Sequence, residues 1–256
     1  MASGGKAVVY DELSWMAARE LVDSGMDMAI MPTGATEQHG PHLPMNVDYL
    51  VAYRIALGVS ERTGVPVLPP LPVGHSGGHD GIPGTVSLSP ETFQKVVEEI
   101  ADGLYATGFR RLLFLNGHLP NIHPLNCAAV NLRVRHADFK IQALSWWDIT
   151  PEIQKKFYGD ESYGIPHGNI VETSIMRYFR DDLVDMAKAK KVGGKGKTLF
   201  FYYLLRQVSL SGHGGDPSGA TVELGEALYR MAVDGLVPQI EKALAEEPPE
   251  LADGLP

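Results

Sequence analysis

Arg111-Leu112-Leu113-Phe114-Leu115-Asn116-Gly117-His118 is the stretch on which the fold turns. An unbroken apolar run this short, closed by turn residues, reads as a strand buried on both faces, as in a parallel sheet. Just before it, Ser89-Pro90-Glu91 starts a helix, with Ser89 as N-cap, Pro90 at the first helical position and Gly108 near the end. After it, a helix is expected from about Ile122 to His136. The alternation continues outward. Met26 to Met31 reads as a strand following a helix over Asp11 to Asp23, and Tyr49 to Ser60 as a helix ending near Gly64. Val65 to Leu71 is extended and proline-punctuated, Lys140 to Trp146 is a third strand, and helices follow across Ile170 to Phe179 and Thr221 to Ala245. The expected class is α/β, a three-layer sandwich of mainly parallel sheet with helices on both faces. Without repeats or a long linker, residues 1–256 read as a single domain.

Hydrophobic residues make up 44% and charged residues 21% of the chain, values of a globular protein with a real core. A net charge of −9 argues against a nucleic-acid partner, and the apolar runs fall well short of the ~20 residues that span a bilayer. The N-terminal stretch has no apolar signal region, and the lone cysteine, Cys127, has no disulfide partner in the chain. A cytoplasmic protein acting on a small molecule, with no nucleic acid and no membrane, is the expectation.

Polar clusters follow the strands, where open α/β sheets place ligands. Thr33 to Asp48 holds Glu37, His39, His42 and Asp48 within sixteen positions. Glu37 and His39 are two apart, so in an extended loop their side chains point the same way. Asp48 stands where a helix should begin, a place that also suits an acid through the helix dipole alone. His118 follows the second strand directly. His167 and Glu172 flank the start of a later helix, where Glu172 too would suit the dipole. Mixed imidazole and carboxylate ligands fit Zn²⁺ or Mn²⁺, and one bridging carboxylate can hold the closely spaced metal pair used by hydrolases.

The segment Thr33-Gly-Ala-Thr-Glu37-Gln-His39-Gly-Pro-His42-Leu-Pro44, with Asp48 behind it, resembles the N-terminal signature of the creatininase family. Pro83 to Leu88, Asn116-Gly117-His118 with Asn121, His167 with Glu172-Thr173-Ser174, and Gly215-Asp216-Pro217 resemble its later motifs, in order. The resemblance implies that Glu37, Asp48 and His118 hold one metal, and that His39 with bridging Asp48 holds the other. Creatinine-cleaving members carry a glutamate two positions after the motif histidine, where this chain has Pro120; Glu172 is the candidate to replace it. Those members also have a tryptophan four residues before the later motif histidine, where Tyr163 stands here.

Five metal ligands are therefore expected, Glu37, His39, Asp48, His118 and Glu172, holding two divalent ions per subunit. His167 is the expected catalytic residue, protonating the leaving group. Tyr163, Trp147 and His79 are the expected substrate contacts. Of neighbouring Trp146 and Trp147, one is expected to be plain core packing, and the loop Gly74 to Gly81 bearing His79 could equally be a solvated turn. The expected reaction is hydrolysis of an amide-type C–N bond, in a cyclic amide or formamide other than creatinine. Ring opening of a cyclic polyol ketone such as an oxidised inositol is the alternative, and a non-catalytic metal-binding protein a further one. The resemblance implies a homohexamer, and Leu199 to Leu205, too apolar for one helix face, is the expected interface, the alternative being a helix buried on all sides within the subunit.

Overall fold

Among the described residues three parallel strands form where the apolar runs lie: β1 (Met28–Thr33), β2 (Arg111–Asn116) and β3 (Lys140–Ser145), in the order β1-β2-β3. The computed structural model describes residues 5–159, 166–192, 201–247 and 249. Around the sheet are α1 (Trp15–Asp23), α2 (Val47–Thr63), α3 (Pro90–Ala106), α4 (Ile122–Arg135), α5 (Pro151–Tyr158), α6 (Ile170–Arg180), α7 (Leu205–Val208) and α8 (Val222–Ala245). Among the described residues no helix is long and apolar enough to cross a membrane.

The period-two alternation of strands sorts the core into two halves. Met28, Ile30, Leu113 and Leu115 pack with α2, α6 and α8, whereas Ala29, Met31, Leu112 and Phe114 pack with α3 and α4. Helices therefore cover both faces, and the α/β sandwich stands. The edge beyond β1 is covered by the extended segment 65–71, through bridges from Val67 to Ile30 and from Leu71 to Thr33.

The helix over Asp11 to Asp23 starts later than its spacing suggests. Tyr10–Glu12 forms a 3-10 turn, and the Ser14 hydroxyl accepts from Ala17 N–H at the real N-terminus. The third strand stops at Ser145, and Trp146–Asp148 is a 3-10 turn. Strand alternation thus does not separate the two tryptophans; both are buried. In the Leu199 to Leu205 segment, Leu199 and Phe200 lie outside the described residues, and 201–204 are not helical. Tyr202 and Phe201 are instead largely exposed ahead of the single turn of α7.

Candidate metal centre

The three strands end level, with Thr33, Asn116 and Ser145 side by side in register. Gly117 then turns under β1, donating its N–H to Thr33 O at 2.8 Å. A Cβ at Gly117 would lie 2.1 Å from Asp48 O, so glycine allows the start of α2 to approach the end of β2. Asp48, second in α2, does not spend its side chain on capping. Its Oδ1 lies 2.9 Å from His39 Nε2 and its Oδ2 3.0 Å from His118 Nδ1.

Glu37 Oε1 is 3.3 Å from His118 Nδ1, 3.6 Å from His79 Nδ1 and 3.7 Å from His167 Nδ1. Glu172 lies in the first turn of α6, where Asn169 caps the helix by accepting from Val171 and Glu172 N–H. Its Oε2 accepts from Gly168 N–H at 2.5 Å, and its Oε1 faces His39 Nε2 at 3.9 Å. Among the described residues three sets of potential ligand atoms result, those of each set within 4.8 Å of one another: Glu37 with Asp48 and His118, His39 with Asp48 and Glu172, and Glu37 with His39 and His167. Every member is buried, and Asp48 is common to the first two sets.

The three imidazoles are oriented alike. His39 turns Nδ1 to Glu37 O at 3.1 Å, His118 turns Nε2 to His75 O at 2.9 Å, and His167 turns Nε2 to Gln38 O at 2.7 Å. A carbonyl on one nitrogen turns the other toward the carboxylates, where its lone pair is available to a cation once the ring is neutral, the arrangement typical of ligating histidines. Both oxygens of Glu37, Asp48 Oδ2 and His39 Nε2 are buried without a hydrogen bond of acceptable geometry. Nitrogens and oxygens that are close yet misaligned for N–H···O bonding suit a cation between them.

The electrostatics agree. Burial works against charge on His39, yet Asp48, Glu172 and Glu37 outweigh it and raise its pKa to about 10. His118 likewise rises against burial because Glu37 and Asp48 adjoin it. Burial would raise Asp48, but His39 and His118 hold it well below the usual carboxylate range. Glu172 is pushed up to about 7 by burial, with His39 opposing and Asp48 reinforcing. The cluster thus draws positive charge onto imidazoles at the places where divalent cations would fit. His167 is the exception. Burial, then His39 and His79, lower it far below an ordinary histidine, so it is neutral.

A cavity of about 80 Å³ opens onto this cluster. Its lining combines the polar Glu37, Asp48, His79, His118, His167 and Glu172 with the apolar Leu119, Pro120, Trp147, Phe157 and Pro166. His39 sits beneath, fully buried. Of the two tryptophans only Trp147 lines the cavity; Trp146 packs edge-on against it and Phe157. Tyr163 lies outside the described residues. Phe157 was not foreseen from sequence. It stacks flat on Trp147, with centroids 4.3 Å apart and planes 5° from parallel, and its one signal is an i, i+4 apolar pair with Ile153 in α5.

The family described as Creatininase: creatinine amidohydrolase matches residues 11–240. The chain is 37% identical over 195 residues to a creatinine amidohydrolase of Pseudomonas putida, covering 71% of this chain and 75% of the relative. It is 29% identical over 241 residues to a mycofactocin precursor peptide peptidase of Mycolicibacterium smegmatis (strain ATCC 700084 / mc(2)155), 86% of each. Over 93 residues, 36% of this chain and 30% of the relative, it is 40% identical to a 3-dehydro-scyllo-inosose hydrolase of Thermotoga maritima. Among solved structures, a crystal structure of creatinine amidohydrolase (creatininase) aligns with a TM-score of 0.85 at 31% identity, over 95% of this chain and 100% of that one. A Zn–Zn type and a Mn form of creatininase align at TM-scores of 0.82 and 0.83, with 31% and 32% identity, each over 94% of this chain and 100% of theirs.

Proposed function

The chain belongs to the creatininase family of hydrolases, and from that premise we propose that it cleaves an amide-type C–N bond in a small polar molecule with two divalent cations, Zn²⁺ or Mn²⁺. Asp48, common to two buried ligand sets, is the observation that carries the reading. Glu37, Asp48 and His118 would hold one ion, and His39, Asp48 and Glu172 the other. When bound, such a pair lowers the pKa of a water and polarises a carbonyl.

The chain's own groups supply the rest. His167, neutral and with Nδ1 free toward Glu37, accepts the proton released by the attacking water and returns it to the departing nitrogen. His79 contacts the substrate from the loop side. Trp147 and Phe157 act as one stacked wall, with Leu119 and Pro120 beside them. A flat amide can lie against this stacked aromatic face, which favours it over a polyol. The polyol ketone remains the second reading, favoured by the 40% identity over 93 residues to the inosose hydrolase.

A panel of cyclic amides, formamides, short peptides and a keto-polyol, assayed with Zn²⁺ or Mn²⁺, tests the proposal. Amide hydrolysis abolished by a chelator and restored by either ion is expected; turnover of the keto-polyol alone selects the second reading. We also propose a cytoplasmic homohexamer. Tyr202 and Leu210, as exposed as residues in an open chain, support a contact between subunits. A monomeric mass by light scattering at micromolar concentration would refute it.

A further inference from the structure

Gln38 stands between two proposed ligands, Glu37 and His39, and sends its side chain elsewhere. Its amide has one possible orientation. Oε1 accepts from Gly40 N–H at 3.0 Å, and Nε2 donates to Gly212 O at 2.5 Å. Turning the amide over would press two oxygens together at Gly212. Gly212 has φ +75°, and a Cβ there would lie 2.1 Å from Gln38 Oε1, so glycine is what lets this segment close on the amide.

Nε2 has a second hydrogen to place. Two imidazole nitrogens lie 3.2 Å away, His167 Nε2 and His79 Nδ1. His167 Nε2 already carries a hydrogen, donated to the Gln38 carbonyl at 2.7 Å, so it cannot accept another. His79 Nδ1 is the remaining acceptor, since Glu37 Oε1, 3.6 Å from the same nitrogen, lies beyond hydrogen-bond distance and takes no hydrogen from it. A neutral imidazole that accepts at Nδ1 carries its hydrogen on Nε2. The His79 ring lines the cavity.

We infer that Gln38 is a positioning residue that sets the two cavity imidazoles in opposite senses: its side-chain amide makes His79 an Nε2–H donor, and its main-chain carbonyl makes His167 an Nδ1 acceptor. The inference rests on the hydrolytic reading above, because hydrolysis needs both senses. A proton acceptor must meet the water, and a donor must face the carbonyl oxygen on which negative charge grows. Side chain and main chain do separate jobs, so mutation can part them.

The test is ¹⁵N NMR of histidine-labelled, Zn²⁺-loaded protein, with the two rings assigned through signals lost in His79→Gln and His167→Gln. In the unmutated protein His79 should be protonated at Nε2 and bare at Nδ1. Gln38→Glu, which places an acceptor opposite Nδ1, should move the His79 hydrogen to Nδ1; Gln38→Met should give a mixture. His167 should stay protonated at Nε2 in both variants, since its partner is main chain. A His79 hydrogen on Nδ1 in the unmutated protein overturns the inference, as does a tautomer indifferent to both substitutions. The first criterion needs no variant, so a Gln38 variant that fails to fold does not shelter the idea. No substrate is needed either. Wrong tautomers in an enzyme active on the panel refute this inference alone, whereas correct tautomers in a protein inert to every substrate refute the hydrolytic reading.

Discussion

The two ends of the same sheet treat charge in opposite ways. At the amino end, Arg111 opens β2 paired with Asp27 and donates Nε–H to Ala243 O at 3.1 Å, while Lys140 opens β3 and donates to Glu246 O. At the carboxyl end, Glu37, His39 and Asp48 are almost wholly buried, and several of their polar atoms have no well-formed hydrogen bond. An unpaired buried charge is costly, so a fold keeps one only where another species completes it. The amino end closes the structure. The carboxyl end is shaped for a guest.

That contrast breaks first at Asp48. Asp48→Ala should release both ions and bring hydrolysis down to background, because one carboxylate serves both ligand sets. Elemental analysis finding one full metal equivalent retained would end its bridging role. Glu172→Gln comes next. It keeps the shape, removes the charge and touches only the set shared with His39, so it should lose one ion selectively and halt turnover. Both ions retained at a normal rate would transfer the fifth ligand to another residue, with His167 the neighbour best placed to take it.

His167→Ala sharpens the contrast from within the site. If its Nδ1 carries protons, both ions stay and turnover falls by roughly 10²–10⁴. If metal content falls with the rate, the third ligand set, Glu37, His39 and His167, is the one in use.

Much of this was legible in sequence because fully buried parallel strands read as bare apolar runs, and their polar ends mark the ligand edge. The apolar run marks this strand as far as Met31, yet β1 continues through Pro32 to Thr33, although proline is rare inside a sheet. Pro32 is tolerated because alternate residues of β1 face different neighbours: Ile30 bonds to Pro66 and Leu68, so the N–H that Pro32 lacks would have faced the irregular segment 65–71 rather than β2. All five proposed ligands were picked out by motif and place, and they do come together. What stayed hidden depends on contacts across long separations. Phe157 reaches the cavity by stacking on Trp147, and the orientation of Gln38 depends on Gly212, far along the chain. The carbonyls of His75 and Gln38 that orient His118 and His167 leave no trace in residue identity at all.

The smallest expected effect belongs to the amino end. Arg111→Met keeps most of the aliphatic stem and its packing while removing the guanidinium. Asp27 then loses its partner and Ala243 O loses a donor. The Asp27 side chain is 24% exposed, so water can take over much of that lost bonding. The cost should therefore be about 1–3 kcal/mol, the range for one lost hydrogen-bonded charge, and toward its lower end. Urea unfolding should show it as a lower midpoint at an unchanged slope. Metal content should be untouched, because Arg111 and Asn116 stand at opposite ends of β2 and no proposed ligand contacts the Arg111–Asp27 pair. A variant that unfolds normally yet binds fewer ions would mean that the two ends are coupled through the strand, and the division of labour drawn here would fail.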